Sequence, residues 1–111
     1  MKLISNKSII ENTAIVQLEA TIDELIDGVG DTMKDLKQKM YGESAGYILF
    51  HSAGRKKALK GRLEEVHDLL VKEIGSVPFI MPFTYGQFGY NEHSSNCCGG
   101  LMMSFTVFGK N

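Results

Sequence analysis

The chain alternates small or apolar with polar residues from 13 to 20. Ala14, Val16 and Leu18 fall on one side, and Thr13, Gln17 and Glu19 on the other. A period of two predicts a strand, and Ile15 on the polar side predicts some cover there. Residues 2–5 and 8–10 read as a short strand before it, set off by the turn residues Asn6, Lys7, Glu11 and Asn12. The period then changes. Thr21-Ile-Asp-Glu24 has the form of a capping box, in which Thr21 accepts from the third helical N–H and Glu24 reaches back. Ile22, Leu25, Ile26, Val29, Met33, Leu36 and Met40 continue from it as one helical stripe. Gly28 and Gly30 weaken that helix by ~1 kcal/mol each relative to alanine, so each implies close packing or a mild bend. Gly42 is the expected stop.

Residues 45–50, Ala-Gly-Tyr-Ile-Leu-Phe, are apolar on both faces and of strand length, the signature of a central strand. His51-Ser-Ala-Gly-Arg55 interrupts the run. A second helix is expected from about residue 56 to 74, with Leu59, Leu63, Val66, Leu70 and Ile74 as its stripe and Gly75 as its cap. Residues 77–85 form the next strand. Pro78 and Pro82 cannot donate to a ladder, which makes it an edge or an irregular strand. Residues 86–98 read as a polar loop and 99–108 as the last strand. With no helix between them, the last two strands are expected to pair antiparallel. The fold class is therefore α+β: a single domain over 1–111, with a mixed four- to five-stranded sheet and two amphipathic helices on one face, in the order β-(β)-α-β-α-β-β.

Composition narrows the function classes. At 111 residues the chain is long enough for one independent core. Twelve basic against 13 acidic residues leave a net charge of −1, which lacks the cationic footprint of a nucleic-acid or membrane-surface partner. No apolar run reaches the ~18 residues of a membrane span, and MKLISNKSIIENT has no apolar core of a signal peptide. A cytoplasmic protein is expected. Cys97 and Cys98 are adjacent. Their Cα atoms lie ~3.8 Å apart, below the ~4.4–6.8 Å of ordinary disulfides, and zinc sites space their cysteines more widely. Reduced thiols without metal are expected, and no cofactor.

Two strings carry candidate chemistry. His51-Ser-Ala-Gly-Arg55 lies where a central strand meets a helix, the end of an α/β sheet at which ligands bind. Ser52, Ala53 and Gly54 bring free N–H groups and close backbone approach there, and Arg55 can fork onto a carboxylate or phosphate. The same residues also read as a strand-to-helix turn with a solvated or structurally paired Arg55. Tyr85-Gly-Gln-Phe-Gly89 offers an aromatic wall and polar groups from Tyr85, Gly86 and Gln87, or else a glycine turn whose aromatics complete the core. Cys97 or Cys98 with His93 would make a nucleophilic pair if the loop brought them together. His67, on the second helix, reads as packed or solvated, and the methionines fit packing positions.

Taken together and in order, residues 47–55 and 77–89 resemble two elements of the FIST C-terminal domain family: a hydrophobic strand followed by Cys-x-Gly-Arg, and Pro followed by Gly-Phe-Tyr-Thr-Tyr-Gly-Glu-Ile-Gly. Ser52 stands where the family commonly has cysteine, and Gln87 where it has glutamate. The late His-Asn-x-Thr stretch is represented only by separated His93 and Asn96. The resemblance implies a sensory module of signal-transduction proteins that binds a small molecule, such as an amino acid or small anion, without chemistry. Ser52, Ala53, Gly54, Arg55, Tyr85, Gly86 and Gln87 would be its ligand-binding residues. The family's N-terminal half and an output domain are not represented, which implies either a pocket completed by a second chain or no complete pocket. The expected partners are a small-molecule ligand, a second copy in a homodimer and a signalling protein, with no nucleic acid and no membrane. The alternatives are an enzyme built on Cys97 or Cys98 with His93, and a structural oligomerisation domain.

Overall fold

The structure is a computed structural model that describes residues 10–12, 14, 16–91 and 95–110, with the backbone alone at 87, 90, 91 and 95–98. The first helix, α1 (Ile22–Lys39), opens on the expected capping box. The Thr21 hydroxyl accepts from the Glu24 N–H at 3.2 Å, and the Glu24 carboxylate accepts from the Thr21 N–H at 2.7 Å. Its stripe buries Ile26, Val29 and Met33. Gly30 lies on that stripe, where a Cβ would come within 3.3 Å of Leu69 Cδ2, so close helix packing explains it.

The central strand β1 (Ser44–Ser52) runs two residues past the apolar run. The chain then forms α2 (Ala53–Ala58) and α3 (Leu63–Ile74) instead of one helix. Lys60 and Gly61 both take positive φ, 49° and 93°, which ends the first segment. The apolar stripe survives the break, because Leu59, Val66, Leu70 and Ile74 are all buried, with Leu63 half-buried. Gly75 caps α3 with a positive φ of 71°, its N–H donating to the Val71 carbonyl.

The prolines cut the next strand into β2 (Phe79–Ile80) and β3 (Phe83–Thr84), each parallel to β1. The Pro78 and Pro82 carbonyls accept from the N–H groups of Tyr47 and His51, both at 3.0 Å. The last strand, β6 (Met103–Gly109), pairs antiparallel with β1 from Ser44 to His51. A strand has two edges. β6 occupies one along most of β1, so β2 and β3 are successive pieces along the other.

The antiparallel partner of β6 is thus β1, not the strand expected over 77–85. The residues read as a polar loop hold a separate hairpin, β4 (Gln87–Asn91) with β5 (Ser95–Gly99). Of the expected first strand, the described residues 14 and 16–20 carry no strand pairing. Thr13, Ile15 and the short strand expected over 2–5 and 8–10 lie outside the described residues, except Ile10. The fold class stands: α+β, with a mixed sheet covered by helices on one face. Tyr47, Leu49 and His51 point into that cover, whereas Ile48 is half-buried and Phe50 exposed on the open face. No helix among the described residues is long and apolar enough to cross a membrane.

Candidate functional site

The carboxyl end of β1 is held from both sides. The His51 N–H donates to the Pro82 carbonyl and the Ser52 N–H to the Met102 carbonyl, at 3.0 and 3.1 Å. Ser52 sits in register with Thr84, so parallel pairing brings Tyr85 and Gly86 just beyond that end, beside the 52–55 turn. The two candidate strings are neighbours in space. Of the seven candidate residues, Ser52 and Arg55 are buried, Ala53 is half-buried, and Gly54, Tyr85 and Gly86 are exposed. Gln87 opens β4 opposite Gly99. Leu101, at a left-handed φ of 57° that bulky side chains rarely adopt, lies over Gly54.

Beneath this surface lie two polar side chains. His51 is fully buried and Arg55 is 8% exposed. The His51 ring meets Phe83 edge-on, with centroids 5.4 Å apart. Its Nδ1 lies 3.1 Å from the Ser52 carbonyl oxygen. A carbonyl only accepts, so Nδ1 carries the proton and Nε2 presents a bare lone pair. That Nε2 is buried and has no hydrogen-bond partner among the described residues. Arg55 reaches back to α1, where its Nη2 donates to the Leu25 carbonyl and lies near Gly28. Its Nε is buried and likewise without a partner among the described residues. No carboxylate among the described residues forms an ion pair with it. Burial pushes the pKa of the guanidinium down. Burial also lowers that of His51, and the Arg55 charge adds to this, while the bond to Ser52 opposes it.

The sequence leaves Arg55 open as a ligand-holding fork or as a solvated or structurally paired cation. It is buried and bonded to α1, because its side chain on the first turn of α2 faces the helix layer. His51 was legible as part of the string but not as a site residue. Its burial follows from β1 extending past Phe50, which puts it on the same face as Tyr47 and Leu49. The Leu101 cover could have been read only from Gly99-Gly100, a turn signal ahead of the last strand.

A cavity of about 360 Å³ lies at the other end of β1, lined by Lys37, Glu43, Tyr47, Glu73 and Lys110 among others. Its ammonium groups are matched internally, Lys37 with Glu73 at 3.3 Å and Lys110 with Glu43 at 2.9 Å. The unmatched groups are at the carboxyl end, and we place the candidate site there. Cys97 and Cys98 stand on β5 opposite Gly89 and Phe88. His93 lies outside the described residues. No group of three or more His, Cys, Asp or Glu among the described residues is arranged to hold a metal.

A search of curated proteins finds no match to the chain, and neither does a search of solved structures. A family model does match: the FIST C domain, over residues 2–90. The match spans α1, the central strand, the 51–55 turn, the split helix and the Tyr85–Gly89 string, and ends within β4, before the strand that pairs with β1 from the other side. On that span the chain belongs to the FIST C domain family, a family of sensory, signal-transduction domains.

Proposed function

We propose that the domain is a non-enzymatic, cytoplasmic sensory module that binds a small polar molecule at the carboxyl end of β1. The observation that carries this reading is the buried pair of unmatched groups, the bare Nε2 acceptor of His51 and the free Nε–H donor of Arg55. An unpaired buried polar atom costs about 1–3 kcal/mol, and more when charged. A ligand that brings both an acceptor for the Arg55 Nε–H and a donor for His51 Nε2, as an amino acid or an amide does, supplies the missing partners and removes that cost. The 52–54 backbone lies at the turn, and Tyr85, 99% exposed, offers an aromatic wall from the neighbouring strand end. Gly86 and Gln87 follow Tyr85 and would complete the contacts. A signalling partner would read the ligand state from the surface around these loops.

A thermal-shift screen of amino acids and small anions on the purified domain tests this. A ligand specific for the native state at about 100 times its Kd adds about 2.7 kcal/mol of stability. Arg55→Lys keeps the charge and loses the planar fork. It is expected to reduce the shift given by a hit more than tenfold in apparent affinity. Arg55→Ala is a poor probe, because it also strips a part-buried bond from the Leu25 carbonyl. A hit whose affinity is indifferent to both Arg55→Lys and His51→Gln sinks this site.

A further inference from the structure

Two parts of the structure lack partners, and they match each other. The first is the outer edge of β6. β1 holds the inner edge, and no strand among the described residues pairs with the outer one. Met103-Ser-Phe-Thr-Val-Phe-Gly109 contains no charge and no proline, the devices that normally blunt an edge. Met103, Phe105 and Val107 face the helices, and α1 packs over β6, yet all three stay only half-buried. So do Ile22, Leu25 and Leu36 on α1. The layer beneath α1 is one strand short.

The second part is the segment 14–20. Its sequence alternates as a strand does, and it lies inside the family match, which begins at residue 2. Its described residues are unpaired, with Val16 81% and Leu18 87% exposed.

Handedness says where such a strand belongs. Parallel crossovers are right-handed in about 98% of cases. The crossover from β1 through α3 moves toward β2, where His67 of α3 meets Phe79. α1 packs on α3 in the same layer, so a right-handed crossover through α1 into β1 must start from the opposite side. That side is the β6 edge. A strand there runs parallel to β1 and antiparallel to β6.

The chain's own hinge opposes this closure. Ala20 directly precedes the cap Thr21, which the capping box holds extended at φ −73° and ψ 165°. Strand-to-helix loops usually need about 2–6 residues, and only Thr21 remains between a strand ending at Ala20 and a helix starting at Ile22. A hinge too short for the element to fold back on its own chain favours exchange of that element between copies. One chain leaves one loose strand and one open edge, and a two-fold axis satisfies both at once. We infer that the domain forms a strand-swapped homodimer, in which residues 14–20 of each copy lie antiparallel along the β6 edge of the other.

Light scattering of the whole chain, joined to amide exchange, tests this. The expected result is a dimer whose outward-facing β6 amides exchange at least tenfold more slowly than in a monomeric variant. Val16→Lys combined with Leu18→Lys is expected to give a folded monomer with fast β6 amides. Inserting about four Gly/Ser residues between Ala20 and Thr21 supplies the missing loop. It is expected to give a monomer in which the β6 amides stay slow, as the strand closes on its own chain. A wild-type monomer overturns the inference, whether its β6 amides are slow (closure within one chain) or fast. A dimer that survives both changes overturns it equally.

Discussion

His51 shows how one buried side chain ties stability to pH. In the folded chain, burial and then the Arg55 charge hold its pKa below the ordinary value, despite the bond to the Ser52 carbonyl. In the unfolded chain it titrates near pH ~6.5. Above that value both states are neutral and the stability contribution is whole. As pH falls below it, the unfolded state takes up a proton that the folded state refuses, so stability drops until the lowered folded-state pKa is reached. Denaturant unfolding from pH 7.5 down to 5 is therefore expected to show wild type losing stability relative to His51→Gln. A difference between the two that does not change with pH would remove His51 as the cause. The residues of this string were readable as candidates, but their burial was not. Whether Arg55 faces solvent or the helix layer depends on the residue at which β1 ends, and element ends are what periodicity fixes least.

The second helical run separates what the pattern carries from what it misses. Leu59, Leu63, Val66, Leu70 and Ile74 keep a common face, and that face is the core. The same stripe is compatible with one helix or with two helices joined by a turn. The structure has the turn, with Gly61 at φ 93° and no atom within 4 Å of where its Cβ would sit. Gly61→Ala decides between these by sign. In a continuous helix, alanine gains about 1 kcal/mol over glycine. At a positive φ it costs about 1–2 kcal/mol, with no clash to blame. We expect destabilisation, measured by urea unfolding. Other elements follow the same division. Apolarity on both faces marked β1 as central, and the two prolines marked the short edge pieces β2 and β3. The β4–β5 hairpin stayed hidden because its sequence, rich in Gly, Asn and Ser, lacks the apolar alternation of a half-buried strand. The alternating segment 14–20 is the converse case, since alternation states that a strand can form and leaves open what it pairs with.

At the scale of the molecule, stability is unevenly spread, and the candidate site lies on the boundary. β1 is paired on both edges and roofed by α1 and α3, whose buried residues join Tyr47 and Leu49 in one core. Arg62 bonds Glu65 in a bidentate pair and reaches Asp23 at 2.7 Å, while Lys37 meets Glu73, so α1 and α3 are tied near both ends. These exposed pairs orient the helices more than they stabilise them. The β4–β5 hairpin forms a separate two-stranded sheet whose main contacts are internal. An isolated two-stranded hairpin is marginal in water. Local opening therefore starts there, with free energies far below that of the core. Native-state amide exchange is expected to rank Tyr47–His51 slowest and the β4–β5 amides fastest among paired strands, by at least a hundredfold. The hairpin begins directly after Tyr85 and Gly86, so a molecule seated at the carboxyl end of β1 touches the chain where the rigid body gives way to the loose one. Binding there is expected to slow hairpin exchange while leaving β1 unchanged, because only the weakly held element has protection to gain. Hairpin amides that exchange as slowly as those of β1 without ligand would mean that the hairpin is docked on the body, and that this end of the sheet is no hinge between binding and response.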